Sequence, residues 1–468
     1  MKKIIFFLYC SVFIINSYSQ VWEKVKAGSE FSLAIKSDGT LWGWGYNANG
    51  QLGISSNYQS VSTPTRIDND KNWKDIAVGS YHSIALKEDG TIWGAGFNGN
   101  GQVGAGSNTQ YEEFVQIGTD TDWVYVEAGY GCSFAIKKDS SLWAWGYNGE
   151  GQLGVGDLID RYSPTQIGSD NVWKNISCGG LFVVGIKYDN SLWRWGLYIT
   201  KDSSEYIYEN IVNPFCVNED NWIMASAGFQ TIFAIKENGT LWAYGDNINY
   251  ALGDSSITFT DEFIPVTHDS NWHYIEAGSV FTFAINNSGE LYAWGNNMYG
   301  QLGLNIEELY ITTPMQVDNN TDWRTISAAK GLLYNNYIYG MHSLALKKDY
   351  SMICVAGANY SGQLGLGFIN NTANAPFICS KTDIKEIQHS ENKIRIYPNP
   401  ACNQIVIDNN SIIINLIHIY DMFGRKVKSY QINDTKILQD ISDLKTGIYV
   451  IKVETEEGIH IRKIQIVR

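Results

Sequence analysis

A tryptophan heads seven similar segments, at Trp22, Trp73, Trp123, Trp173, Trp222, Trp272 and Trp323, spaced 51, 50, 50, 49, 50 and 51 residues apart. A period this regular restricts the chain to an array of like units. A unit of fifty residues cannot bury its own apolar faces and must cover them with its neighbours. All 16 Trp lie within these copies, and 45 Gly in the chain suit structure rich in tight turns.

Each unit reads as four strands. The first begins at the leading Trp and ends at a Gly such as Gly28 or Gly79, and the second runs through Ser32-Leu33-Ala34-Ile35. Asp38-Gly39, Asp89-Gly90 and Asn238-Gly239 then signal a two-residue hairpin turn. The third strand sets Trp42 and Trp44 on one face, Gly50-Gln51-Leu52-Gly53 turns the chain, and the fourth carries Pro64 or Pro164, placing it at an outer edge. Seven such meanders packed face to face in a ring make a seven-bladed β-propeller, so the expected class is all-β.

The series Gly-x-x-x-Ser-x-Ala-Leu, Asp-Gly-x-Leu-Trp-x-Trp-Gly-x-Asn and Gly-Gln-Leu-Gly resembles the regulator-of-chromosome-condensation (RCC) repeat across residues 20–380. The Gly-Gly doublet of kelch repeats is missing. The resemblance implies seven blades. The family includes a nuclear exchange factor for a small GTPase and secreted bacterial propellers that inhibit β-lactamases.

Two copies depart from the pattern. In the fourth, Tyr198-Ile199-Thr200-Lys201 replaces Gly-Gln-Leu-Gly, and Arg194 stands where other copies keep Gly43, Gly94 or Ala144. The seventh lacks the Trp pair and carries ten extra residues around Gly331 to Gly340. Turns of a meander alternate between the two faces of the ring, which puts both irregular stretches on the face opposite the Asp-Gly turns. Their Tyr content marks a candidate binding surface of Arg194, Tyr198, Tyr206, Tyr208, Tyr334, Tyr337 and Tyr339, since Tyr offers wide contact at low entropic cost.

Residues 1–19 read as a secretory signal peptide, with Lys2 and Lys3 before the apolar run Ile4 to Ile15 and cleavage between Ser19 and Gln20. The apolar run is too short for a permanent anchor, so no stable membrane insertion is expected. Residues 381–393 form a polar linker, and residues 394–468 an Ile-rich module of the size of a small antiparallel β-sandwich. Tyr397-Pro398-Asn399-Pro400, Asp421-Met422-Phe423-Gly424-Arg425 and Leu444-Lys445-Thr446-Gly447-Ile448-Tyr449 resemble the type A sorting domain of the type IX (Por) secretion system of Bacteroidetes. That resemblance implies transit through the periplasm to the outer surface or the medium, with the type IX machinery as a partner.

Formal charge is −14 overall and −18 over residues 20–393, which repels a phosphate backbone and argues against nucleic acid. No His-Glu-x-x-His, Gly-x-Ser-x-Gly or Walker spacing is present, and no catalytic residue, cofactor or metal site is expected. Asp70, Asp120, Asp170, Glu219 and Asp269, three before the leading Trp, read as Asx turns rather than calcium ligands. His82 and His342 occupy one repeat position and read as structural. Six Cys remain after the signal peptide; the even count permits disulfides, but without framework spacing no pairing is assigned, and scattered Cys read mostly as buried apolar residues. The expected protein is a secreted or surface-held monomeric, non-catalytic propeller that binds an extracellular protein or glycan. A secreted enzyme or enzyme inhibitor using the same face is the alternative, and guanine-nucleotide exchange a distant third.

Overall fold

Each leading Trp opens a strand, and every repeat closes into its own four-stranded antiparallel sheet. The computed structural model describes residues 21–55, 59–202, 205–218, 220–331, 333–334, 337–338, 340–349, 352–369, 376–381, 395–398, 400–408, 413–421, 426–455 and 458–467. Blade one comprises Trp22–Ala27, Phe31–Lys36, Leu41–Tyr46 and Ser60–Arg66, paired in chain order. Blade seven comprises Trp323–Ala328, His342–Lys347, Met352–Gly357 and Ile378–Lys381. Seven such sheets form the propeller, each contiguous in sequence. The second strand of blade one is buried along its whole length, because sheets cover both of its faces, whereas the outermost strand stays half exposed and tolerates Pro64.

The hairpin between second and third strands is one residue longer than its Asp-Gly signal suggests. Gly39 N–H donates to Lys36 O at 2.9 Å and Lys36 N–H to Thr40 O at 3.0 Å, enclosing Ser37-Asp38-Gly39. Gly39 takes φ 76°, and a β-carbon there would sit 2.2 Å from Lys71 O as the next repeat enters. Ser140 and Asn190 hold the same left-handed position at φ 67° and 64°.

Beside this turn lies a repeated cation site. Lys87 Nζ sits 4.6 Å and 4.1 Å from the rings of Trp73 and Trp93 and 2.6 Å from Asp70. Lys137 with Asp120 and Lys187 with Asp170 repeat it. Three of the recurring Asp are therefore lysine partners, not Asx turns. The Asx role falls to Asp68, two residues earlier, which accepts from Asp70 N–H at 2.9 Å.

Neighbouring blades are stitched through the Gly-Gln-Leu-Gly turn. Trp145 Nε1 donates to Gln102 O at 3.0 Å, Trp195 Nε1 to Gln152 O at 2.8 Å, and Trp44 Nε1 to Gln363 O at 2.8 Å. The last contact joins blade one to blade seven and closes the ring.

The cysteines supply a pairing that their spacing left open. Cys354 and Cys379 lie directly opposite on the last two strands of blade seven and form a disulfide. Their separation of 25 residues spans a whole hairpin connection, so chain spacing alone does not reveal the pairing. Cys132 and Cys178 are buried thiols, as expected of scattered Cys.

Chain contacts divide the molecule into residues 1–383 and 384–468. The described residues of the second unit form two antiparallel sheets. One pairs Arg395–Tyr397, Gln404–Asp408 and Lys436–Asp440; the other pairs Ile414–Asp421 with Lys426–Asp434 and Gly447–Thr455, which in turn pairs Gly458–Ile466. Ile405, Ile407, Ile417, Ile419, Ile451 and Ile464 fill the core between them.

Candidate functional site

Blade four differs from its neighbours by a protruding ribbon. Its third and fourth strands run on as Leu192–Asp202 and Glu205–Asn218, in register from Leu197 opposite Asn210 to Asp202 opposite Glu205. The irregular stretch thus pairs as the two strands of a hairpin. Without the glycines of Gly-Gln-Leu-Gly the chain has no left-handed turn there, and the β-rich run Leu197 to Lys201 stays extended. Tyr206, Ile207 and Tyr208 are exposed on it, with the two Tyr rings 6.5 Å apart. Tyr206 also rests edge-on against Phe259 of blade five at 6.0 Å.

The base of the ribbon encloses Arg194. Its side chain is 5 % exposed, stacked 4.3 Å from the Tyr198 ring, 5.0 Å from Tyr244 and 5.8 Å from Phe182. Burial pulls its guanidinium below the usual arginine value, and the Tyr244 hydroxyl is its polar neighbour. Arg194, Phe182, Gln230, Tyr244, Asp246 and Phe259 line a cleft between blades four and five. Asp246, held up by burial, faces Tyr206 and Lys201. Of the expected surface, Arg194, Tyr198, Tyr206 and Tyr208 come together on this ribbon, with Arg194 as a buried wall. Tyr334 and Tyr337 sit on a two-stranded turn whose side chains lie outside the described residues, as does Tyr339 entirely.

The bore of the propeller holds a cluster that motif reading missed. The fourth residue after each leading Trp is in turn Lys26, Ala77, Glu127, Ser177, Ser226, Glu276 and Ser327, and Lys26, Glu127, Glu276 and Ser327 line one cavity with Lys330. Ser177 Oγ accepts from Ala227 N–H at 3.0 Å and Ser226 Oγ from Ala277 N–H at 2.9 Å, so each satisfies the free edge of the next blade. Lys330, from the blade-seven insertion, reaches across to Glu127 at 3.7 Å and Ser177 Oγ at 3.3 Å. Burial pulls the Lys26 ammonium down, but Glu127 and Glu276 outweigh it and lift Lys26 above the ordinary lysine value. Burial raises Glu276, with Lys330 and Lys26 partly offsetting it. Two cations and two carboxylates thus face one another around the bore. Aligning the copies on Trp would have exposed this position, because six of the seven residues there are polar while their strand neighbours are small or apolar.

His82 Nε2 lies 2.8 Å from Ser133 Oγ and His342 Nε2 3.1 Å from Ser32 Oγ; both rings are fully buried between blades. Among the described residues no group of three or more His, Cys, Asp or Glu converges in a way that could hold a metal. No helix among them is long and apolar enough to cross a membrane.

In the second unit the Tyr397–Pro400 motif leads into Ala401, which is fully buried and donates to Gln465 O at 2.7 Å while accepting from Val467 N–H at 2.9 Å. Tyr449 is buried and donates to Lys445 O at 3.0 Å, next to Gly447 at the strand start. Tyr397, Pro398 and Pro400 are exposed. Ser19, Gln20, Asn399, Gly424 and Arg425 lie outside the described residues.

Residues 38–86, 139–186 and 288–331, and in a second profile 22–51, 73–102 and 272–301, match the Regulator of chromosome condensation (RCC1) repeat. Residues 395–467 match the Secretion system C-terminal sorting domain. The chain is an RCC1-repeat propeller followed by a secretion sorting domain. Its repeats are 37 % identical over 90 residues to the RCC1 domain-containing protein RUG3, mitochondrial, of Arabidopsis thaliana, covering 18 % of this chain and 19 % of the relative. They are 31 % identical over 86 residues to the Ultraviolet-B receptor UVR8 of the same plant, covering 18 % and 20 %. The matched stretches therefore span about a fifth of these curated relatives. As a fold, the RCC1-repeat propeller resembles yeast RCC1 (Prp20), solved bound to Kap60, with TM-score 0.62, 16 % identity and coverage of 81 % and 87 % of the two chains. Human WBSCR16 gives TM-score 0.58 at 21 % identity, covering 66 % and 86 %.

Proposed function

We propose that this protein is an exported, non-catalytic binding propeller. It docks an extracellular protein or glycan through the face that carries the blade-four ribbon. The observation that carries this reading is the ribbon itself. It replaces a turn that other blades use to stitch the ring, and it presents Tyr206, Ile207 and Tyr208 to solvent at 39 %, 50 % and 60 % exposure. Large rings held on a rigid two-stranded support contribute contact area with little entropy left to lose. The bore offers less for a ligand, since Lys26, Glu127, Glu276 and Lys330 act on one another there. Delivery follows from the sorting domain: type IX transit through the periplasm, with residues 1–19 as the leader and 381–393 as the processing linker.

The test uses the mature protein on a glycan array and in capture from outer-surface extracts. A Tyr206→Ala, Tyr208→Ala double variant should weaken whatever binds at least tenfold, about 1.4 kcal/mol. Asp89→Ala, on the opposite face, should leave binding unchanged. Loss through Asp89 with the Tyr variant intact would reverse the assignment.

A further inference from the structure

In the cleft at the root of the ribbon, Arg194 is a cation with which no described carboxylate pairs. Arg194 is buried, and the described residues offer its guanidinium three aromatic faces and one Tyr hydroxyl but no carboxylate. By contrast, the buried lysines Lys87, Lys187 and Lys347 are paired with Asp70, Asp170 and Asp322. The nearest acid lining the cleft, Asp246, is engaged by Tyr206 and Lys201 instead. An uncompensated buried charge is costly unless something supplies its partner.

We propose that this cleft binds the carboxylate of a hexuronate residue in an acidic glycan, with Arg194 as the anchor. The proposal rests on the ribbon face being the binding surface, and it names the chemistry read there. Arg presents a planar fork that matches a carboxylate in two places, and three rings surround its guanidinium. The exposed faces of Tyr206 and Tyr208 stand beside the cleft, 6.5 Å apart and tilted by 37°, as platforms for successive pyranose rings. The field of the chain limits which glycans qualify. At −18 over the propeller and with Glu205 and Glu209 on the ribbon itself, a continuous polyuronate would be repelled. A single uronate flanked by neutral sugars meets only the local cation. An acidic peptide would have the same carboxylate but no sugar ring to lay on the Tyr pair, so it serves as the competing source in the test.

Titration of the full mature chain with cellobiouronic acid, its methyl ester, cellobiose and an N-acetylated dipeptide bearing a free carboxylate separates these cases. The acid should bind at least tenfold more tightly than its ester or cellobiose, and more tightly than the dipeptide. Arg194→Met should abolish that preference while leaving the thermal midpoint equal to or above that of the native chain, because it removes an unpaired buried charge. A lower midpoint with acid binding retained would make Arg194 a packing residue and overturn the proposal. So would equal binding of acid and ester, dipeptide preference, or no binding of the acid, and these comparisons need no variant. Should Tyr208→Ala weaken another ligand while none of the acid arms binds, the binding face stands and the uronate assignment alone falls.

Discussion

Ser327 Oγ accepts the backbone N–H of Ala27 at 3.0 Å, across 300 residues of sequence. Ser327 belongs to the first strand of blade seven and Ala27 to that of blade one. Among the described residues every blade is made from consecutive chain and no shared strand fastens the ring, so closure rests on side-chain to backbone contacts of this kind and on the apolar cluster that joins blades seven and one.

Replacing Ser327 with Ala leaves a buried N–H without a partner, which costs roughly 1–3 kcal/mol. The denaturant midpoint should fall with the slope unchanged. Ser226→Ala, which frees Ala277 N–H within the ring, should cost a similar amount. An unchanged midpoint in both variants would show that these bonds are dispensable.

Acid should unfold the propeller through its two interblade histidines. Burial pushes His82 and His342 down to about 3 from an ordinary value of 6.5, so both are neutral in the fold. An unfolded imidazole binds its proton below about pH 6.5 and a folded one only near pH 3. Stability is therefore full above the higher value and falls as pH drops toward the lower. The loss is on the order of 3 kcal/mol per ring at pH 4. Phe31 and Phe281 hold the same repeat position, so His82→Phe with His342→Phe should flatten the pH dependence measured by chemical denaturation. A dependence as steep as in the native chain would assign the acid sensitivity elsewhere.

At the repeated Lys–Trp–Asp site the two partners are unequal. Asp70 is half exposed, so Asp70→Asn should cost no more than about 1 kcal/mol. Lys87→Ala removes a buried stem and contacts to two Trp rings, and should cost about 2 kcal/mol or more. Equal thermal shifts for the two variants would contradict this ranking.

Removing residues 394–468 should retain the propeller in the periplasm, read by fractionation and immunoblot. The same protein should keep its cooperative unfolding, because the two units have separate cores. Normal appearance in the medium would count against the sorting role.

Much of this molecule was legible along the chain. The Trp period, the Gly positions and the edge Pro are local or repeated signals, and repetition turns seven weak patterns into one strong one. The Tyr397–Pro400 and Gly447–Tyr449 motifs were readable for the same reason, being short and fixed in order. What the tertiary structure decided are relations between distant residues. Cys354 finds Cys379 only once two strands are in register, and Lys330 meets Glu127 only because the ring brings blade seven opposite blade three. Arg194 looked like a surface feature in sequence. Its burial follows from the lost Gly-Gln-Leu-Gly turn, whose absence lets the ribbon extend and fold Tyr198 over the guanidinium. Periodicity determines which faces must be covered, but only closure of the ring determines which side chains share the covered space.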